Sequence, residues 1–433
     1  MILARFVISI LLLIYPTMGF PTPLNATEHK ILQWVDNHVD GSISLLEASV
    51  NTNSGTMNLA GVRAVGAVLR SEFDALGFTT QWIDFPPQTN RAGHLFARHT
   101  GGRGRKVLMI GHLDTVFEAD DPFQLFVRSG NTATGPGIED MKSGNIIMLY
   151  ALKALDAVGA LDGLQIVVAY TGDEEKPGEP LEAVRRDLVE AGQWADVVLG
   201  FEAAVHRDGR DWATVARRSS TEWRLEVSGK QAHSSGIFSE DTGAGAIFEV
   251  SRILTAFYRE VRGEEYVTFN VGTIVGGTDV SYDEEQNRGV AFGKTNVVPR
   301  KVIVHGGLRT MSNEQLDRTR QAMQRVVDRH LPRTSAKISF VDGYPAMAPT
   351  EGNKQLQSLL SDINEQLGRG PMPALDPSQR GAADISFVAP YADGLAGLGA
   401  IGSDGHTPNE KIDLSSMSVA IKRAAILLHR LKQ

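Results

Sequence analysis

The chain has 433 residues, 42% hydrophobic and 22% charged, with a formal net charge of −8 and no cysteine. Its length exceeds one ordinary hydrophobic core and calls for about two domains, and its composition excludes a disordered chain. The acidic balance and the lack of a long basic run argue against a nucleic-acid partner; zero cysteines exclude disulfides, thiolate nucleophiles and cysteine–zinc sites.

In chain order, residues 1–20 carry Arg5 and then FVISILLLIYPTMGF, a charged start and an apolar stretch interrupted by Pro16. That is the pattern of a cleaved signal, too short to span a bilayer comfortably. It predicts export to a periplasm or the medium, with cleavage after Gly19 or alternatively near Ala26, and no stable membrane anchor afterwards. Residues 28–50 and 58–77 have helical apolar spacing. From about 79 to 215, strand-like runs alternate with helix-like ones, as a parallel sheet requires. Residues 140–159 read as a helix whose buried stripe includes Ile146, Ile147, Leu149, Tyr150, Leu152 and Leu155.

Near residue 218 the pattern changes. TEWRLEVSG alternates polar and apolar residues, placing Trp223, Leu225 and Val227 on one face; left at a sheet edge, such a strand would invite a second copy. A helix follows, with Ala246, Ile247, Val250, Ile253, Leu254 and Phe257 as its stripe. VTFNVGTIVGG and KVIVHGGLRT read as strands, with residues 278–296 between them as an exposed polar excursion. Ser312 and Gln315 form a capping signature before another helix, and AKISFV closes the set. The order β-α-β-β-α-β is the split βαβ layout of a ferredoxin-like unit. The predicted organisation is therefore a signal at 1–20, an α/β domain at 28–217, an inserted unit at 218–341 and the rest of the α/β domain at 342–433. The expected fold class is α/β, with a mostly parallel central sheet and an inserted ferredoxin-like α+β domain.

Four apolar runs end abruptly in acid and histidine. VLMIG leads to His112 and Asp114, LQIVVAYTG to Asp173, Glu174 and Glu175, VVLGF to Glu202, and LAGLGAIG to His406. Continuous β-branched runs are strands buried on both faces, and open α/β sheets bind ligands beyond the carboxyl ends of such strands. Two histidines and several carboxylates there form the mixed nitrogen and oxygen set that divalent metals require. His112 and Asp114 point the same way on an extended strand, so Asp114 is placed to orient His112 through its second ring nitrogen. Asp140 sits in GPGIEDMKSG, at a bend before a helix, where an ordinary helix-start acid would look the same. Adjacent carboxylates repel unless one binds a cation and the other holds a proton, so Glu174 and Glu175 read as one base and one ligand.

Together, H-x-D, G-x-x-D-M-K-x-G, D-E-E, F-E and G-H-T-P-x-E, in that order, resemble the dizinc exopeptidase family. That family includes glutamate carboxypeptidases, aminoacylases, peptidase T and succinyl-diaminopimelate desuccinylase. The similarity covers nearly everything after residue 28 and is strongest to the glutamate-carboxypeptidase branch, through DEEKPGE, FEAA and SGKQAH. The resemblance implies two zinc ions, one held by His112 and Glu202, the other by Glu175 and His406, with Asp140 bridging. Such ligands also accept Co²⁺ or Mn²⁺. It further implies Asp114 as the group orienting His112 and Glu174 as general base. The insert becomes a dimerisation domain, with His233 reaching the partner's site to steady the oxyanion. Asn296 in TNVVP and Arg309 in GGLRT would hold the substrate, Arg309 beside His233 as carboxylate clamp. Two Zn²⁺ are balanced by three carboxylates and one hydroxide, so the site can be buried. Where several relatives have G-G-T-D, this chain reads QRGAAD, so Arg380 and Ala383 alter the pocket while Asp384 is kept.

The resulting expectation is an exported dizinc metallocarboxypeptidase. It would cleave the amide bond before a C-terminal residue, glutamate being one candidate, in small peptides or N-acyl amino acids. An aminoacylase-type amidohydrolase is the same-class alternative. A catalytically inert binding protein of the same fold has no use for Glu174 beside Glu175.

Overall fold

The computed structural model describes residues 23–284 and 286–432, so the signal-like segment lies outside the described residues. The apolar runs assemble into a six-stranded sheet ordered 79–83, 94–99, 165–171, 106–112, 197–200 and 393–395. The last four are mutually parallel, whereas the first two join antiparallel. Alternation along a strand explains how both faces are filled. In the strand Lys106–His112, Val107 and Met109 join one core with the helices Ala26–Val50, Ser143–Ala157 and Ser415–Leu431. Leu108 and Ile110 join a second core with Leu188, Ile385 and Val388 on the opposite face. The four parallel carboxyl ends therefore open along one rim.

The Ser143–Ala157 helix lies hard against the strand end that leads to Glu202. A Cβ on Gly144 would fall 1.9 Å from the Phe201 carbonyl oxygen, which is backbone and cannot swing aside. Gly144→Ala is expected to cost about 1–3 kcal/mol as an overpacked contact. Equilibrium denaturation of the variant, with an unchanged midpoint as the contrary result, checks this.

The inserted unit is a four-stranded antiparallel sheet ordered 268–277, 301–309, 221–229 and 334–342. The helices Gly245–Ala256 and Asn313–Val327 cover one face, burying Trp223, Leu225, Val227, Val250, Ile253 and Met323. Ser312 caps the second helix by accepting from the Gln315 amide, as its sequence predicts. One expectation changes and another is refined. Thr221–Gly229 is an interior strand, flanked on both sides, because its alternating face packs under both helices; the edges are 268–277 and 334–342. Residues 278–296 are the exposed excursion expected, but Asp279–Asp283 and Arg288–Phe292 within it pair as a hairpin, with Tyr282 stacked 4.0 Å from His305.

Candidate active site

His112 ends its strand, buried, with its Nδ1 3.0 Å from the Asp114 backbone carbonyl and its Nε2 3.0 Å from Asp140 Oδ1. Donation from Nδ1 to that carbonyl leaves Nε2 as the free lone pair. The Asp114 carboxylate stands 3.5 Å from Nδ1. Its hydrogen bonds go instead to the Thr56 hydroxyl at 2.7 Å and the Glu174 and Glu175 amides at 3.0 and 3.1 Å. Asp114 therefore faces His112 chiefly through its main chain, while its side chain shapes the tandem-glutamate turn, a task that H-x-D spacing does not reveal.

Asp140 precedes the helix rather than starting it. Its backbone is extended (φ −117, ψ 91), and regular helix begins at Ser143. The reason is Glu410, whose buried carboxylate accepts from the Gly137, Glu139 and Asp140 amides at 3.1, 2.7 and 3.0 Å. Those amides need no helical carbonyl partner, and the bend that results turns Asp140 toward the rim. Burial raises Glu410 to about 7 against those bonds. Burial likewise lowers Lys142 to about 7, with its Nζ donating to the Thr52 carbonyl at 3.0 Å. Neither residue was singled out for a role in the sequence, although Glu410 ends the G-H-T-P-x-E motif.

The second histidine completes a symmetrical arrangement. His406 Nε2 lies 3.2 Å from Asp140 Oδ2 and 3.2 Å from Glu175 Oε2. Asp140 thus turns one carboxylate oxygen toward each histidine. Ligand atoms of His112, Asp140 and Glu175 all lie within 4.8 Å of one another, a group that could hold a metal ion. Glu175 Oε1 is buried without a hydrogen-bond partner, and a cation would satisfy it. Clustered carboxylates shift the groups around them. Hydrogen bonds to Asp140 and Glu175 lift His406 to about 11. Burial raises Glu175 to about 6. Burial opposes ionisation of Asp140, but His112 and His406 hold it below the ordinary carboxylate range. Burial pushes the Glu174 carboxyl well up, reinforced by Asp384, Glu202 and Glu175.

Glu202 stands apart from that cluster. Its carboxylate pairs with Arg217, and Arg380 Nη2 lies 3.6 Å away. Arg217 also donates to the Gly381 and Ala382 carbonyls at 2.7 and 3.1 Å. Glu202, Arg217, Arg380 and Gly381, with Asp140 and Glu139, line a cavity of about 150 Å³. Beneath Glu174 runs a second buried network: Arg185 bonds Asp173 at 2.6 Å and Asp384 at 2.9 Å. Arg185 and Arg217 gave no signal in the sequence because lone arginines in helical or polar segments look like solvated surface.

The insert's candidates are split. His233 is exposed and bridges Val297, and the Asn296 carbonyl accepts from the Ser234 amide at 2.9 Å. Arg309 lies at the other end of the sheet, its Nη1 3.4 Å from the Ser219 carbonyl and 3.8 Å from where a Gly381 Cβ would stand. About 27 Å of strand separates the ends at ~3.4 Å per residue. Arg309 is therefore not beside His233; it borders its own chain's rim, because the two residues cap opposite ends of neighbouring antiparallel strands.

Carboxylates and imidazoles converging at the carboxyl ends of a parallel sheet, with an unspent glutamate beside them, define a metal-dependent hydrolase. More narrowly, the chain belongs to the Peptidase family M20/M25/M40, whose model matches residues 108–430, and it is a metallopeptidase of that family, acting on peptide or amide bonds. It is 27% identical over 414 residues to carboxypeptidase G2 of Pseudomonas sp. (strain RS-16), covering 93% of this chain and 92% of that protein. It is 26% identical over 394 residues to a succinyl-diaminopimelate desuccinylase of Alkalilimnicola ehrlichii, covering 87% and 96%. Its fold matches a dinuclear metal-binding peptidase of Bacillus subtilis with a TM-score of 0.62 at 14% identity, covering 92% of this chain and 99% of that one.

Proposed function

We propose that this protein is an exported dizinc carboxypeptidase that releases a C-terminal residue from small peptides or N-acyl amino acids. The observation that carries the reading is Asp140, which offers one oxygen toward His112 and the other toward His406, with Glu174 in the adjoining turn. His112, Asp140, Glu175 and His406 would hold two ions, and Glu202, paired here with Arg217, would turn to them as the fifth ligand. When bound, such ions polarise a scissile carbonyl and acidify water. Glu174, as the carboxylate, would take a proton from the attacking water and deliver it to the leaving amine nitrogen. Arg309, free of any carboxylate ion pair among the described residues, grips the substrate's terminal carboxylate. His233 and Asn296 stand at the far end of their own insert, so they serve a site only from a second copy. A homodimer is therefore part of the proposal. Similarity to carboxypeptidase G2 over most of both chains supports the carboxypeptidase reading over the aminoacylase one.

The mature protein, purified and screened on dipeptides against N-acyl amino acids, tests the activity. Faster release from N-acyl amino acids alone would favour the aminoacylase reading. Elemental analysis after zinc reconstitution should give about two ions per chain; none would sink the dizinc assignment. Amino-terminal sequencing of protein from its native host should begin at about residues 20–27. An intact Met1 on cytoplasmic protein would refute export.

A further inference from the structure

The chain enters and leaves the inserted unit through two linkers that pair with each other. Arg217 and Met347 exchange backbone hydrogen bonds of 2.9 Å in both directions, and the Ser220 amide donates to the Tyr344 carbonyl at 2.8 Å. Tyr344 thus sits just past the strand Thr334–Asp342, on the linker returning to the catalytic domain. Its side chain reaches into the catalytic domain. The Tyr344 hydroxyl donates to the Glu174 backbone carbonyl at 2.8 Å, and Arg185 Nη2 donates to that hydroxyl at 2.9 Å. The ring packs on Phe387 with centroids 4.9 Å apart. Arg185 in turn is anchored by Asp173 and Asp384, and the Asp384 carboxylate also accepts from Thr171 at the strand end.

The Glu174 backbone is therefore held on both flanks by different parts of the fold. Its amide is fixed by Asp114, beyond the His112 strand, and its carbonyl by the linker's tyrosine. A donor chain from a guanidinium through a hydroxyl polarises each bond in turn, which stiffens the last one in a buried setting. We propose that Tyr344 is a positioning residue for Glu174, and that through it the seating of the inserted unit sets the geometry of the general base. This rests on Glu174 being the base. Arg217, on the opposite linker, pairs with the Glu202 carboxylate itself, so both linker strands contact residues of the site.

Tyr344→Phe keeps the ring and its packing and removes only the hydroxyl. It is expected to lower kcat about tenfold or more, since small misplacements of a reacting group are costly. KM should stay within about twofold and zinc content near wild type, because neither the metal cluster nor Arg309 touches the hydroxyl. Combined with Glu174→Gln, Tyr344→Phe should add no further loss, because it acts only through Glu174. Wild-type kcat in Tyr344→Phe, or losses that multiply in the double variant, would overturn the inference. If Tyr344→Phe folds poorly, Phe387→Leu separates packing from the hydroxyl: it should lower the melting temperature with kcat kept, and an equal kcat loss there would also overturn it. Glu174→Gln alone decides the base assignment. Activity retained in that variant removes both readings, whereas activity lost there and kept in Tyr344→Phe removes only this one.

Discussion

Replacing Glu174 by Gln is expected to lower turnover by at least about a hundredfold while leaving bound metal near its normal amount. The two halves of that result have separate physical causes. Glutamine keeps the shape and the backbone of the turn, where the Glu174 and Glu175 amides bond Asp114 at 3.0 and 3.1 Å, so Glu175 stays in its place beside His406. What is lost is a group that can take and return a proton. Steady-state kinetics with parallel elemental analysis reads both. Activity within a few-fold of wild type would show that Glu174 is not the base. A joint loss of metal and rate would show instead that it holds the metal site together.

The second large effect is expected from mixing two inactive variants, His233→Ala and Arg309→Ala. Arg309 borders its own chain's rim, near Ser219 and Gly381, whereas His233 stands at the opposite end of the insert, exposed. In a mixed dimer, the subunit carrying His233→Ala keeps its own Arg309 and receives the partner subunit's His233. One site is then complete, and the other lacks both groups. With random exchange about half of the dimers are mixed, so activity should return to about a quarter of wild type. If both residues served the same chain's site, or both came from the partner, each site in the mixed dimer would lack one group and nothing would return. The measurement is activity after subunit exchange verified by two affinity tags. No recovery refutes the division of labour between subunits.

Much of the fold was legible because burial on both faces of a sheet writes a continuous β-branched run into the chain. LQIVVAYTG and VVLGF need no partner to be recognised as strands, and each acid that follows lands on the rim simply because it comes next. The alternation of Trp223, Leu225 and Val227 likewise reports a sheet covered on one side. The pairing of residues 279–283 with 288–292 is not read from the sequence because their exposed faces carry little apolar periodicity.

Asp140 lies in a bend and His406 in a loop well past the short strand Asp393–Leu395, but the amino-acid sequence by itself determined that His112, Glu174, Glu175 and Glu202 end or follow strands at one rim. It determined this because strand periodicity and chain order are local properties. Only the tertiary structure decided how their atoms face one another. Glu410, 270 residues from Asp140, holds the chain out of the helix until Ser143 and turns that carboxylate between two histidines. Asp114 spends its carboxylate on amides sixty residues away rather than mainly on its neighbour. Glu202 turns to Arg217, and Arg309 and His233 part to opposite ends of one sheet. Each of these is set by a hydrogen bond or ion pair between segments far apart in the chain, and such pairings leave no period in the sequence from which to read them.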